Sequence, residues 1–229
     1  VGQVSVYEFN DSDNQWIQIG NKITGEDAYD YLGWSVSLNQ DGSRLAINIS
    51  NADGENNNTN NLGEVKIYEF NASTNNWDQL GQTILGIAQD TYIELVTLNS
   101  SGNIVVLSTG NYDHTDDDGN TAQNIGIARV YQYSSDLNQW IKMGQDILGE
   151  RATDYFGYKG LDINGAGNII AVGAIFNDEN GNTDSGSVRV YIYNTNTNNW
   201  DQLGQDLDGE STNLLGRDCV LSESGYTVV

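Results

Sequence analysis

Two acidic loops carry the residues of this sequence that are best suited to hold a cation. One runs from Asp113 to Asn120 and the other from Asn177 to Asp184. Ca²⁺ is bound in proteins by carboxylate, amide and carbonyl oxygens, which both loops supply at closely spaced positions. The candidate ligands are Asp113, Asp116, Asp118 and Asn120 in the first loop, and Asn177, Asp178, Asn180 and Asp184 in the second. The sequence thus predicts Ca²⁺ as a cofactor, with a solvated acidic loop as the alternative.

A second set of acidic residues, together with one tryptophan, forms a candidate ligand-binding surface. Its members are Glu26, Asp30, Trp34, Glu150, Asp154 and Glu210. A cation or a cationic partner would suit the carboxylates, and Trp34 would suit a sugar ring or another flat ligand. The alternative is structural, because Asp30 recurs along the chain as Asp90, Asp154 and Asn213, and a residue needed in every repeat is often a turn or strand cap.

The sequence offers little for nucleophilic catalysis. His114 is the one histidine and Cys219 the one cysteine, and neither has an evident triad partner. A catalytic carboxylate cannot be picked from 32 acidic residues by sequence alone. An enzyme would be indicated by a deep channel holding a carboxylate whose pKa burial has raised. Without that observation the sequence predicts a protein that is not an enzyme.

The charge of the chain excludes several partners. Its 229 residues include 32 acidic and 9 basic side chains, for a formal net charge of −23. Such a surface cannot neutralise phosphates, so nucleic-acid binding is excluded, and an anionic membrane surface is disfavoured. No apolar run approaches the length of a membrane span. We expect no membrane insertion and an extracellular or cell-surface location.

The two ends and the asparagine sequons favour the same location. The sequence does not begin with Met and stops inside an apolar run, so we expect it to belong to a longer chain whose other domains are candidate partners. Asn57 and Asn71 head acceptor sequons for glycosylation, provided that the protein passes through a eukaryotic secretory route.

The elements that position these residues come from an internal repeat. A Gly-x-Val-type strand followed by a tryptophan and a glycine occurs four times, with the tryptophans at Trp16, Trp77, Trp140 and Trp200. A period of this size is typical of solenoids, propellers or arrays. Because each tryptophan sits once per repeat, we expect it to pack between repeats; a ring of tryptophans that stacks on sugars is the alternative.

Each repeat shows four short alternating segments, here called strands A to D. In the second unit they span 33–38, 44–49, 63–70 and 77–85, separated by turns of Gly, Asn and Asp. Strand B is nearly all apolar, which is typical of a strand buried on both faces. Sustained helical periodicity is missing. The sequence predicts an all-β fold, a single β-propeller domain of 1–229 built from four blades of about 60 residues.

The point in the repeat at which the chain starts and stops is compatible with two arrangements of the blades. The chain starts at strand C and stops at strand B, so the blades cover 1–29 plus 213–229, 30–89, 90–153 and 154–212. One interpretation is a closed four-bladed ring in which the terminal strands A and B pair with the initial strands C and D. The alternative is four blades of a larger propeller, for example a seven-bladed one.

These repeats resemble the FG-GAP repeat, the blade unit of the integrin α-subunit propeller. Phe156-Gly157 matches the Phe-Gly element and Gly173-Ala174 the Gly-Ala element, although the closing proline is absent. The resemblance covers the whole chain and implies an extracellular, adhesion-type propeller whose loops hold Ca²⁺. The sequence as a whole predicts a non-catalytic binding or structural module that contacts a protein or glycan partner. A lectin-like propeller and a propeller glycosidase or lyase are the alternatives.

Overall fold

The chain folds into β-strands joined by turns. The computed structural model describes residues 1–53, 61–87, 91–178, 183–210 and 212–229. Within those ranges there are strands but no helices, and so no helix that could cross a membrane. The strands are β1 Gln3–Asn10, β2 Gln15–Thr24, β3 Leu32–Leu38, β4 Arg44–Ile49, β5 Glu64–Asn71, β6 Asn76–Gln79, β7 Ile84–Leu85, β8 Leu95–Leu98, β9 Ile104–Thr109, β10 His114–Thr115, β11 Thr121–Ala122, β12 Ile127–Ser134, β13 Gln139–Lys142, β14 Ile147–Leu148, β15 Phe156–Ile163, β16 Ile169–Ala174, β17 Ser187–Asn194, β18 Asn199–Gln202 and β19 Leu207–Asp208.

Three of the repeats form antiparallel sheets of the same design. Strands A to D follow one another in the orders β3-β4-β5-β6, β8-β9-β12-β13 and β15-β16-β17-β18. A short fifth strand, β7, β14 or β19, pairs with strand C in each sheet, so the predicted strand D is divided in two. Strand D is interrupted at Gly81, Gly144 and Gly204, and the positive φ of each glycine bends the chain there. The predicted β-propeller class is confirmed.

Strand B forms the core of each blade. In β9 and β16 every residue is buried, and in β4 all but the first are. These strands lie between strands A and C of their own sheet and are covered on both faces by neighbouring sheets. The prediction from their apolar runs is therefore confirmed.

Successive blades are joined by the repeated tryptophan. The indole nitrogens of Trp77, Trp140 and Trp200 each donate a hydrogen bond to a carbonyl of the preceding blade, at 3.2, 2.8 and 2.8 Å. The three side chains are 3–5% exposed. Each ring lies against a glycine of that preceding blade, where an added Cβ would come within 2.5–2.9 Å of the indole. Blade packing is thus the role of these three tryptophans.

The inner strands are linked in the same order. The backbone N–H groups of Val96 and Leu98 donate to the hydroxyls of Ser35 and Ser37, from one strand A to the next. The turns between strands A and B are also linked by a series of backbone hydrogen bonds. In each, an N–H donates to a carbonyl of the next turn: Gln40 to Ser100, Ser100 to Gly165 and Gly165 to Glu223. Residues 212–229 thereby continue the arc as the first half of a further blade.

The two ends of the arc do not pair in the part of the chain that the structure describes. Strand β1 is hydrogen-bonded to β2 alone, and Leu221 bridges to Val228 within the C-terminal half-blade. The expected closure of a four-bladed ring is therefore not formed. Residues 212–229 instead lie against the preceding blade, where the Gly165 N–H donates to the carbonyl of Glu223 and the Leu221 N–H donates to Asp162. The arc agrees with the alternative of blades from a larger propeller.

Replacement of Trp140 by Ala tests the contact between blades. We expect Trp140→Ala to lower the free energy of unfolding by about 3–5 kcal/mol, as is usual when a buried aromatic side chain is removed. Chemical denaturation followed by fluorescence gives the value. Trp34→Ala is the matched control, because Trp34 is 60% exposed and its loss should change stability by about 0.5 kcal/mol or less. Equal losses in the two variants would contradict this account of the fold.

Candidate active site

An aromatic pocket opens where the starts of three successive inner strands meet. Tyr31 and Trp34 come from the start of β3, Tyr92 and Glu94 precede β8, and Tyr158 lies in β15. Ser50 and Asn51, which follow β4, complete the lining of this cavity of about 330 Å³. The connections before strands A and the loops after strands B thus meet on one side of the arc, as the repeat predicts. We call this side the mouth.

The backbone before each inner strand is bent in the same way. Tyr31, Tyr92 and Tyr155 stand at equivalent positions and have positive φ angles of 56°, 24° and 52°. A bulky residue seldom adopts this conformation, which persists only where the surrounding structure holds it. Two short turns hold this conformation. The backbone N–H of Trp34 donates to the carbonyl of Tyr31, and the backbone N–H of Tyr158 donates to the carbonyl of Tyr155. The repeated bend places aromatic residues around the mouth.

Glu94 is a buried carboxylic acid in the aromatic pocket. Its residue is 8% exposed, and its Oε2 accepts a hydrogen bond from the backbone N–H of Gly110 at 2.8 Å. Burial raises the pKa of Glu94 to about 8, against the opposing effects of the Gly110 N–H and the charge of Lys159. The acid is therefore largely protonated at neutral pH. A carboxyl group in this state can donate a proton or accept one near the pH at which most enzymes work.

The surroundings hold Glu94 in place. Its backbone N–H donates to the carbonyl of Ser108, and Asn48 Nδ2 donates to the carbonyl of Ile93 at 2.7 Å. Gly110 must be a glycine, because a Cβ there would lie 2.5 Å from the Cβ of Tyr158. The donor to Glu94 and the aromatic wall of the pocket are thus in close contact.

Sequence reasoning did not select Glu94, although a signal was present. Gly33, Gly157 and Gly216 occupy the equivalent position in the other copies, all with positive φ, whereas Glu94 does not have a positive φ. One repeat has therefore exchanged a structural glycine for a carboxylic acid. The exchange is visible in the aligned repeats, but the burial that raises the pKa of Glu94 is not.

A second cavity at the mouth brings together part of the predicted acidic set. This acidic cavity, of about 400 Å³, is lined by five carboxylates, Glu26, Asp27, Asp30, Asp53 and Glu64, and by Lys66. Burial raises the pKa of Asp30, with further contributions from Asp27 and Asp53. Burial also raises the pKa of Glu64, although Lys66 lies 3.6 Å away. Glu26 and Asp30 therefore share a cavity, while Trp34 lines the aromatic pocket.

The other predicted ligand-binding acids are separated. Glu150 forms an ion pair with the buried Arg189 at 2.7 Å, and Arg189 also pairs with Asp206. Asp154 is 3% exposed, accepts a hydrogen bond from Asn177, and has a pKa that burial raises. Glu210 lies on the surface at the end of its blade. The structure thus distributes the six residues over several blades.

The candidate calcium loops use their carboxylates within the loop. Asp116 accepts hydrogen bonds from the backbone and the side chain of Asn120, which lower its pKa. Asp113 accepts from the Asn124 N–H and Asp178 from the Asp184 N–H, each at 2.7 Å. Asp118 is exposed, and Asn180 lies outside the described residues. Over the ranges that the structure covers, three or more metal-ligating side chains do not cluster, so calcium binding stays a prediction.

The remaining candidate residues have simpler surroundings. The side chain of Asn71 caps a turn and donates to Asp78, while Asn57 lies outside the described residues. Burial raises the pKa of the Cys219 thiol to about 12, so that it does not form a thiolate at neutral pH. His114 pairs with Ala122 in the small hairpin of β10 and β11.

The overall fold is similar to that of solved structures described as lactonases. A protein of Bacteroides uniformis assigned as a 6-phosphogluconolactonase aligns with 99% of this chain and 56% of its own, at 10% identity and a TM-score of 0.62. A periplasmic gluconolactonase of Pseudomonas aeruginosa aligns with 98% of this chain and 56% of its own, at 14% identity and a TM-score of 0.57. The chain therefore spans just over half the length of these neighbours. No protein family model matches it, and no curated sequence matches it either.

These findings correct the sequence-based assignment of family and function. The resemblance to FG-GAP repeats is wrong, since the structure resembles solved propellers that are described as lactonases. Adhesion of the integrin type loses its basis with that resemblance. The prediction of a non-catalytic module is wrong as well, because the solved propellers with this fold are described as lactonases.

The raised pKa of Glu94 predicts a pH dependence of stability. The folded state keeps the Glu94 proton to about pH 8, whereas the unfolded chain loses it near the ordinary pKa of 4.5. Between these values the unfolded state binds fewer protons, so stability falls as pH rises, by up to about 1.4 kcal/mol per pH unit. Urea denaturation of wild type and Glu94→Gln at pH 5 and pH 8 measures the effect.

The comparison of the two proteins isolates Glu94 from other buried acids. Glu94→Gln keeps an oxygen for the Gly110 N–H but cannot ionise. We expect the variant to lose less stability between pH 5 and pH 8 than wild type. Identical losses would show that Glu94 titrates normally.

A thermal melt tests the predicted calcium loops. If Asp116 and Asp118 help to bind Ca²⁺, the ion raises the melting temperature by several degrees over EDTA, because it binds the folded state only. The rise should vanish in a variant with both residues changed to Ala. Asp11→Ala, an exposed change in a distant turn, is the control. A melting temperature that is the same in Ca²⁺ and in EDTA would remove these ligands from consideration.

Proposed function

We propose that this chain carries the active site of a lactonase, with Glu94 as its general acid. The observation that carries the proposal is the buried, protonated carboxyl group of Glu94 in an aromatic pocket at the mouth of a propeller arc. The lactonase-type propellers supply the reaction class, and the pocket supplies a group that fits it.

The chemistry of lactone hydrolysis needs a proton where the ring opens. Water attacks the carbonyl carbon, the bond between that carbon and the ring oxygen breaks, and the ring oxygen takes up a proton. Glu94 gives that proton, and the proton released by the attacking water returns to its carboxylate, which leaves the group unchanged after each turnover. The Gly110 N–H stabilises the carboxylate while it is ionised.

The lining of the pocket favours an uncharged substrate. Tyr31, Trp34, Tyr92 and Tyr158 offer aromatic faces that pack against the C–H groups of a sugar ring. Arginine is not among the lining residues, and the formal net charge of −23 repels a phosphate. We therefore propose a sugar lactone without a phosphate group as the substrate class.

We also propose that the protein works outside the cytoplasm. One structural neighbour is a periplasmic enzyme. The acidic surface and the single cysteine are compatible with export.

Hydrolysis of gluconolactone by the purified chain tests the proposal. We expect Glu94→Gln to lower kcat about 10²- to 10⁴-fold, the usual contribution of a general acid. Activity of the wild type should fall as pH rises through about 8, where Glu94 loses its proton. Rates are corrected for spontaneous hydrolysis, and 6-phosphogluconolactone should be the poorer substrate.

A matched variant separates catalysis from general effects. Glu64→Gln changes another buried glutamate with a raised pKa, in the acidic cavity, and should leave kcat unchanged. Equal rates for wild type and Glu94→Gln would remove Glu94 from the mechanism. A folded chain that hydrolyses neither lactone above the spontaneous rate would overturn the proposed function.

A further inference from the structure

The acidic cavity carries more negative charge than its own residues balance. Five of the described residues that line it are carboxylates, and Lys66 alone among them is basic. Lys66 Nζ lies 3.6 Å from Glu64 in the same strand. In the described part of the chain, no ion pair includes Glu26 or Asp30. These two carboxylates therefore line the cavity without an ion-pair partner among the described residues.

The same place in the fourth blade, 154–212, holds a guanidinium group. Arg189 is the third residue of β17, as Lys66 is of β5 in the second blade, 30–89. The Arg189 side chain is 1% exposed. Its Nη2 lies 2.7 Å from Glu150 and its Nε 2.8 Å from Asp206. Glu150 stands at the position of Glu26, so an equivalent of the unpaired acid holds a cation in the fourth blade.

Backbone contacts establish this equivalence. Each of the two glutamates follows a glycine whose N–H donates to the carbonyl of the glycine just before a strand C. These glycine pairs are Gly25 with Gly2, and Gly149 with Gly126. Asp30 and Asp154, four residues beyond the glutamates, each accept a backbone hydrogen bond from the second residue after strand B. The two sites are thus built by the same parts of the repeat.

The second blade has kept the acids and lost the cation. Lysine replaces arginine at Lys66, and Thr83, the residue before β7, stands where Asp206 precedes β19. A lysine lacks the planar fork through which an arginine holds two carboxylates at once. In the second blade, these positions and the two acids line the cavity of about 400 Å³.

The third blade, 90–153, has the opposite combination. Ile87 and Thr91 stand where the second blade has its two acids, and Arg129 pairs with Asp146 at 2.6 and 2.8 Å. The third blade thus has the arginine without the acids, and the fourth has both. Among the three complete blades, the second has the acids without the arginine.

The lining of the cavity favours a guanidinium group over a metal ion. In the described part of the chain, three or more His, Cys, Asp or Glu side chains do not come together as metal ligands would. A guanidinium group is wider, and its five N–H donors reach carboxylates on different sides. Leu32, Ile49 and Ala52 also line the cavity and suit the methylene groups of an alkyl chain. The sequence of 54–60, outside the described residues, contains neither lysine nor arginine, so it does not supply the cation.

We propose that the acidic cavity binds an alkylguanidine from solution, the class of small molecule to which arginine belongs. Its guanidinium group takes the place that the Arg189 side chain has in the fourth blade. Glu26 accepts its N–H groups as Glu150 does, and Asp30 adds a second negative charge. The net charge of −23 favours the approach of such a cation. The cavity shares no lining residue with the aromatic pocket, so this proposal does not rest on the proposed reaction.

Calorimetric titration with agmatine, an alkylguanidine, tests the proposal. We expect a single molecule to bind per chain, and salt to weaken the binding because it screens the charges. Putrescine is the matched control ligand, since it has an ammonium group where agmatine has the guanidinium group. It lacks the planar fork and should bind at least about tenfold more weakly. Ca²⁺ is titrated as the alternative occupant.

Two variants show whether agmatine binds in the acidic cavity. Glu26→Gln removes the accepting charge and should weaken the binding by about tenfold or more. Lys66→Arg combined with Thr83→Asp reproduces the pair of the fourth blade, and should abolish binding because the new side chain fills the site. Asp11→Asn removes one charge from an exposed turn elsewhere and should bind like wild type. Circular dichroism establishes that each variant is folded.

Several results would overturn the proposal. One is the lack of measurable agmatine binding to the wild type at millimolar concentration. Equal affinities for agmatine and putrescine are another, since net charge alone would then attract both. Undiminished binding in the folded double variant, or displacement of agmatine by Ca²⁺, would have the same consequence. If the double variant does not fold, undiminished binding in Glu26→Gln is the contradicting result.

Discussion

The contact between a tryptophan and the glycine of the preceding blade is the interaction on which this structure depends. Each blade alone is a small twisted sheet whose faces would remain exposed. The indole covers the neighbouring sheet and satisfies its N–H on a backbone carbonyl, and the glycine leaves room for the ring. The same contact, repeated with little variation, sets the step from blade to blade and hence the alignment of the inner strands.

The mouth follows from that alignment. Because the inner strands start side by side, the bend before each of them brings Tyr31, Tyr92 and Tyr158 to one place, although they are far apart in sequence. The pocket is a product of repetition, whereas its acid is a departure from it. Glu94 stands where the other repeats have glycine, so that the repeated fold supplies the aromatic walls and one repeat supplies the buried acid.

The corrected assignment shows how little a repeat pattern says about activity. The propeller frame is shared by proteins of many functions, so a correct fold led to a wrong family and a wrong functional class. Acidic loops drew attention because of their composition, but their carboxylates mostly cap turns. The chemically distinctive group was a single glutamate outside those loops.

The sequence by itself determined the all-β class, the four repeats, the strands within them and the packing role of three tryptophans. These features depend on local alternation, turn residues and periodicity, all of which are visible in the chain. Tertiary structure alone decided that the ends do not pair, that Trp16 is exposed while its counterparts are buried, and that Glu94 is protonated. The reason is that burial, pKa and the pairing of strand edges are set by neighbours from other repeats. No single repeat contains that information.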